Sequence, residues 1–200
     1  MSASLLADAI DYALGSVDCV APVLLSQPTP CRDWDLAALL RHANDSLAAL
    51  HEGLATGYVR LDRAGAAAAE HGSLAVIFRD RAARLRVAAQ AGGQHDIAIA
   101  NRHVAAAIVT AVGAIEITVH GWDIAAACGP GGRPIPAGLA RGVLEIVPLV
   151  VTGPARGSQF AAPVTVPPQA SPGDRLVALL GRDPARPQPA ATRPIPPGSR

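Results

Sequence analysis

The chain has 200 residues, of which 50% are hydrophobic and 16% are charged, and its formal net charge is +1. This length and apolar content suit a soluble domain with one hydrophobic core. The low net charge provides no basic stripe for a phosphate backbone, so nucleic-acid binding is not expected. Arginine supplies every basic side chain, and the absence of lysine excludes catalysis through a lysine Schiff base.

The first residues of the chain include an early acid and no basic stretch, which predicts a cytoplasmic protein without a secretory signal. The longest apolar run is interrupted by Glu116 and His120 before it reaches the roughly 20 residues that a bilayer span needs, so no membrane helix is expected. The cysteines are odd in number and lack a Cys-x-x-Cys spacing, which argues against a disulfide framework and against a thiolate zinc site. We therefore expect three buried thiols, at Cys19, Cys31 and Cys128.

Apolar residues recur with helical spacing in four long segments of the chain. Turn signals separate these segments, and either Asp33 or Asp35 can cap the second one. No strand-rich segment lies between them, so the pattern predicts an all-α fold built as a helical bundle. The predicted helices span about residues 4–25, 35–55, 73–91 and 102–127.

Beyond the fourth helix, residues 136–151 have the pattern of a fifth helix that Pro148 kinks or ends. A shorter stretch then begins extended at Phe160, and Ser171 can cap a brief helix that has proline at its first position. The last residues contain too few apolar side chains to pack and should be disordered. The predicted organisation is a helical bundle at 1–156, an appendage packed on it at 157–184 and a Pro/Arg tail at 185–200.

One carboxylate and one imidazole stand out in the fourth helix. Glu116 and His120 are four residues apart, so they lie on the same helix face. Residues 104–115 are apolar or small apart from Thr110, and a charge placed there is costly without a partner. A metal ion would satisfy both groups, because it binds the ionised carboxylate and the neutral imidazole. The alternative is a polar groove in which arginine or water holds the pair.

A metal site would need a third ligand from a facing helix, and the second helix offers His42 and His51. Periodicity does not choose between them: His42 falls near the edge of the apolar face, and His51 lies closer to its centre, where it could be an ordinary core histidine. Asp45 follows His42 by three residues, as Asp123 follows His120, and such carboxylates can orient a ligating imidazole. Each pair could equally face solvent.

Several segments, in order and spacing, resemble the actinobacterial metal-binding proteins of the DinB-like superfamily, and more closely the mycothiol-dependent maleylpyruvate isomerase family. The resemblance implies a four-helix bundle with a short C-terminal extension, and a divalent ion, usually zinc but with nickel possible, held by His42, Glu116 and His120. It thereby selects His42 as the third ligand. The matching segments are Thr29-Pro-Cys-Arg-Asp-Trp34, Leu-Leu-Arg-His42, Glu116-x-x-x-His120-Gly-Trp-Asp123, Phe160-x-x-Pro-Val and Asp174-Arg-Leu-x-Ala-Leu-Leu-Gly-Arg-Asp-Pro184.

The function implied is metal-dependent thiol transfer or cis/trans isomerisation of a small electrophile. Three protein ligands leave a position open, where a low-molecular-weight thiol such as mycothiol would be deprotonated. Maleylpyruvate isomerase itself has a larger C-terminal domain, of which this chain has only a short counterpart. The specific isomerase activity is therefore not expected here. The alternative is a non-catalytic metal-binding module for binding or stress response, favoured if His51, Asp45 or Asp123 closes the coordination shell. A monomer or homodimer is expected.

Three further residues are candidates for the pocket around the metal. Trp34 and Trp122 are two of only six aromatic residues, and Arg41 directly precedes His42. The alternatives are that the tryptophans are core residues and that Arg41 is a solvated surface residue. No catalytic residue beyond the metal centre is predicted.

Overall fold

The computed structural model describes residues 2–31, 34–60, 73–92, 96–129, 132–151 and 160–185. These residues are mostly helical, which confirms the expected fold class in its broad form. The helices are α1 (Ser2–Val17), α2 (Leu36–Thr56), α3 (Leu74–Ala91), α4 (Ala106–Cys128), α5 (Ala137–Val150) and α6 (Pro172–Leu179), with a short 3-10 helix at Pro22–Leu24. A small sheet contains β1 (Tyr58–Val59), β2 (Asp96–Ile99) and β3 (Arg102–Ala105).

Helices α2 and α3 each begin at a side-chain cap. The Asp35 carboxylate accepts a hydrogen bond from the backbone N–H of Ala38 at 2.7 Å, which confirms one of the two proposed caps. Asp33, the other proposed cap, lies outside the described residues. The Ser73 hydroxyl caps α3 in the same way. Helix α2 ends at Thr56, and its C-cap Gly57 has a φ of 75°, which glycine adopts without strain.

The predicted first helix was too long. Helix α1 ends at Val17, and the chain re-forms helical turns only at the 3-10 helix, which begins at Pro22. Proline has no N–H to continue an α-helix, and its ring clashes with the preceding turn, so the apolar spacing that continues to residue 25 belongs to a separate turn.

The predicted start of the fourth helix was also wrong, because residues 102–105 form β3 instead of the first turn of α4. Strand β3 pairs antiparallel with β2, with Ile97 opposite Val104, and β2 pairs parallel with β1, with Tyr58 opposite Ala98. A tight turn joins β2 to β3, and Ala100 within it has a φ of 53°. Such short strands carry too few residues for alternation to stand out from helical spacing.

The four longest helices pack pairwise, α1 against α4 and α2 against α3, with further contacts between α1 and α3 and between α2 and α4. The approach of α1 to α4 is close: a Cβ atom on Gly121 would lie 3.2 Å from the backbone Cα of Ala13. The core between the helices contains large, fully buried side chains, including Leu6, Ile10, Leu39, Leu40, Leu47, Leu85 and Ile124.

The C-terminal segment, residues 160–185, packs on this core. It begins extended at Phe160, and Ser171 caps α6 by accepting from the N–H of Asp174 at 3.0 Å, as the sequence predicts. Leu176 and Leu180 are fully buried in the same hydrophobic core as the long helices. Helix α5 continues through Pro148 to Val150. The predicted domain boundary at 156 and the tail beyond 185 lie outside the described residues.

Two of the cysteines are paired, which corrects the expectation of three thiols. Cys19, just after α1, forms a disulfide with Cys128 at the end of α4, across 109 residues of sequence and with the Cα atoms 6.0 Å apart. Sequence spacing could not reveal this pair, because it is the packing of α1 on α4 that brings their C-terminal ends together.

Among the described residues, α4 is the one helix long and apolar enough to cross a membrane. However, 67% of its most apolar window is buried inside the protein. The apolar character of α4 is therefore explained by its place in the core.

Candidate metal centre

Helices α2 and α4 bring together the three residues expected to bind a metal, His42, Glu116 and His120, which we call the ligand cluster. One potential ligand atom from each residue lies within 4.8 Å of those of the other two. The His42 Nε2 atom is 2.9 Å from the Glu116 Oε1 atom, and the two imidazole ring centres are 5.0 Å apart. The one-turn spacing of Glu116 and His120 places both on the face of α4 that meets α2.

The ligand cluster fits a divalent ion in its donor chemistry and nearly in its spacing. Two imidazole nitrogens and one carboxylate oxygen form a common catalytic zinc ligand set. In a tetrahedral zinc site with bonds of about 2.1 Å, the ligand atoms lie about 3.4 Å apart, so atoms separated by up to 4.8 Å would have to approach by up to about 1.4 Å. The side chains of His42 and Glu116 are 38% and 31% exposed, which leaves one side of the cluster open to solvent.

Ser46 also takes part in the site, and the sequence analysis missed it. Its hydroxyl donates a hydrogen bond of 2.6 Å to Oε1 of Glu116, the oxygen that faces His42. Ser46 is one helical turn after His42 on α2, so it shares the face that meets α4. That i, i+4 spacing was a usable signal, but serine is too common on helices for the spacing to stand out.

The environment of Glu116 favours its ionised form. Burial alone would raise the pKa of this carboxyl group, but hydrogen bonds from His42 and Ser46 and the nearby His120 imidazole lower it more. The pKa of Glu116 therefore lies below its ordinary value of 4.5. An ionised carboxylate is the form that binds a metal ion.

Asp123 contacts Nδ1 of the His120 imidazole, as the i, i+3 spacing of the two residues suggests. The Asp123 Oδ2 atom is 3.1 Å from Nδ1 of His120, and the Asp123 side chain is completely buried. This contact leaves Nε2 of His120 as the atom for a metal. Burial would raise the pKa of Asp123, but the Arg182 guanidinium and the contact with His120 lower it below its ordinary value of 3.8.

Arg182, just beyond α6, is the residue that compensates the buried Asp123 charge. Its Nη2 atom donates to Asp123 Oδ2 at 2.9 Å and its Nε atom to Asp123 Oδ1 at 3.3 Å. The sequence analysis assigned no role to Arg182. Its position just after a short helix gave no signal, because arginine is ordinarily solvated at such a place.

Trp34 lies beside the ligand cluster. Its ring centre is 4.8 Å from that of His42 and 6.3 Å from that of His120. The loop before α2 fixes this position, since the Trp34 carbonyl accepts hydrogen bonds from both the N–H and the hydroxyl of Thr29.

The remaining candidates do not join the ligand cluster. Asp45 pairs with Arg81 of α3 at 3.7 Å, so the expected orienting contact between Asp45 and His42 is absent from the described residues. Arg41 is exposed to solvent and Trp122 is partly buried against the core. His51 is nine residues beyond His42 on α2, which places it about 13 Å further along the helix axis.

A small cavity adjoins the ligand cluster between α2, α3 and α4. Glu116, His120 and Ser46 supply its polar wall, and the other side chains that line it are apolar, among them Leu47, Phe78, Ile117 and Ile124. A group that entered beside Glu116 and His120 would therefore meet an apolar surface.

Comparison of the chain with models of protein families, with curated proteins and with solved structures gives no match. The functional argument therefore depends on the site itself.

Proposed function

We propose that this protein is a divalent-metal-dependent enzyme with a DinB-like four-helix bundle, which uses a low-molecular-weight thiol to attack a small electrophile. The observation that carries the proposal is the ligand cluster, two imidazoles and one ionised carboxylate within 4.8 Å of one another on two facing helices. Three protein ligands with an open side are typical of catalytic zinc, whereas structural zinc sites are usually closed by four. Zinc is the preferred ion and mycothiol the preferred thiol, following the resemblance in sequence.

A divalent ion at this position would lower the pKa of a bound thiol and so supply a thiolate at neutral pH. His42, Glu116 and His120 would hold the ion, Ser46 would orient the Glu116 carboxylate, and Trp34 would cover the imidazoles on one side. The thiolate sulfur would then form a bond to an electrophilic carbon. In transfer, the leaving group departs with its electron pair; in isomerisation, the carbon–carbon π bond opens, the adduct rotates, and elimination restores the double bond and the thiolate.

The alternative is a non-catalytic module with a closed coordination shell. The residues that could close the shell have other partners or positions: Asp45 pairs with Arg81, Asp123 pairs with Arg182, and His51 lies further along α2. This arrangement favours the enzyme, because it leaves the fourth position to water, thiol or substrate.

Metal content tests the site. The protein loaded with Zn²⁺ should retain about one ion per chain by elemental analysis, as a single three-ligand site predicts. Substitution of either histidine ligand, His42→Ala or His120→Ala, should abolish retention. His103→Ala is the matched control, since His103 is exposed on β3. Unchanged metal content in both ligand variants would refute the site.

Thiol binding distinguishes the thiol-dependent enzyme from the non-catalytic module. Titration of the Co²⁺-loaded protein with mycothiol should produce a sulfur-to-cobalt charge-transfer band, because the open position admits the sulfur. Turnover is then measured as thiol-dependent conjugation or isomerisation of small unsaturated electrophiles. A metal-loaded protein that shows neither the band nor turnover would support the non-catalytic alternative.

A further inference from the structure

The C-terminal segment contributes a residue to the surroundings of the ligand cluster. Arg182 is only 8% exposed, and it lies against Asp123, which has no exposed surface. The same guanidinium donates to the backbone carbonyl of Leu180 at 3.0 Å, so its position is fixed from its own segment as well. Arg182 thus joins the C-terminal segment to α4, at the point where Asp123 meets His120.

The geometry of this contact determines how Asp123 faces His120. Arg182 donates to both carboxylate oxygens, an arrangement that fixes the plane of the carboxylate more firmly than a single bond would. Oδ2 accepts from Arg182 and also faces Nδ1 of His120. Because a carboxylate paired with a guanidinium can only accept hydrogen bonds, Asp123 favours the proton on Nδ1 of His120, which in the neutral imidazole keeps the Nε2 lone pair available for an ion.

We propose that Arg182 is a positioning residue for the metal centre, which acts through Asp123 to hold the tautomer and ring orientation of His120. The proposal rests on the proposed function, since it assumes that His120 is a ligand. It makes the C-terminal segment part of the site, although this segment supplies none of the three ligands. Partners of this kind typically change metal affinity by about 10- to 100-fold.

The test compares Zn²⁺ affinities of Arg182→Gln, Asp123→Asn and the double variant, measured against a chromophoric chelator. Each measurement is made at a temperature where circular dichroism shows the variant folded. Arg182→Gln should bind Zn²⁺ about 10- to 100-fold more weakly than the unchanged protein. The double variant should bind no more weakly than Asp123→Asn alone, because Arg182 acts only through Asp123.

Arg175→Gln is the matched control, since Arg175 is an exposed residue of α6 whose guanidinium donates to the carbonyl of Pro168. It should bind Zn²⁺ like the unchanged protein. Arg182→Lys retains the buried charge without the two-pronged contact, and it should fold with an affinity between those of Arg182→Gln and the unchanged protein.

Nitrogen-15 NMR of the metal-free protein gives a readout that a purely structural role would not change. The unchanged protein should show His120 protonated at Nδ1, and Arg182→Gln should show a mixture of tautomers. Equal affinity and an unchanged tautomer in folded Arg182→Gln would overturn the proposal, as would loss of the fold in both Arg182 variants, which would show a role in stability alone. If the unchanged protein binds no Zn²⁺, the proposed function fails, while the tautomer comparison still decides the role of Arg182.

Discussion

Removal of the Cys19–Cys128 disulfide should lower the stability of the protein by several kcal/mol. The bridge closes a loop of 109 residues, for which the chain-entropy model gives a cost of about 4.8 kcal/mol at 25 °C when the constraint on the unfolded chain is lost. Typical domains have total stabilities of about 5–15 kcal/mol, so the effect is a large fraction of the whole.

The assay is urea unfolding of Cys19→Ser/Cys128→Ser against the unchanged, oxidised protein, with Cys31→Ser as the control. Cys31 is outside the bridge and should change the midpoint little. A thiol count under denaturing, non-reducing conditions should find one reactive thiol in the oxidised protein and three after reduction, in accordance with the sequence total of 3 cysteines. If the thiol count shows the bridge in the unchanged protein and the double variant is less stable by under about 1 kcal/mol, the loop-closure reasoning is refuted.

Three further predictions concern the packing, the acid response and the tail. Gly121→Val should cost about 1–3 kcal/mol by thermal or urea unfolding, because its side chain would collide with α1; Gly138→Ala, where no atom lies within 4 Å, should leave the protein equal or more stable. Asp123 has a pKa below 3.8 in the folded protein, so its contribution to stability is present above that value and is lost as the pH falls toward the folded pKa. The stability of the metal-free Asp123→Asn variant should therefore fall less steeply with decreasing pH than that of the unchanged protein. Identical pH profiles of stability would contradict this. Truncation after Pro184 should leave the thermal melt nearly unchanged, since it keeps Arg182, and a large loss would show that the tail packs.

The sequence predicted the long helices well where local signals were strong. Asp35, one of the two proposed caps, marks the start of α2, and the apolar faces of α2 and α3 are long enough to define their period. Prediction from the sequence failed where local patterns are ambiguous. Four residues such as 102–105 fit a strand or a helical turn equally well, and only pairing with β2 decides between the two.

In the candidate site, too, local features were predictable from the sequence and contacts between distant segments were not. The one-turn spacing of Glu116 and His120 is a local feature, so the pair was visible in the sequence. His42 was left undecided by periodicity and was selected only by the resemblance. The partners Ser46 and Arg182, and the pairing of Asp45 with Arg81, depend on which helices face each other. Such contacts between distant segments leave at most a weak signature in the spacing of residues, as the i, i+4 spacing of His42 and Ser46 illustrates.

Gly121, the residue next to His120, gives α1 an unexpected influence over the ligand cluster. Its missing side chain lets the backbone of α1 lie against α4, so the separation of these helices is set one residue away from His120. Substitutions on the facing surface of α1, at Ala13 for example, would therefore shift His120 without touching it. Helix α1 would thus influence the spacing of the ligand cluster, although it supplies none of the three residues of that cluster.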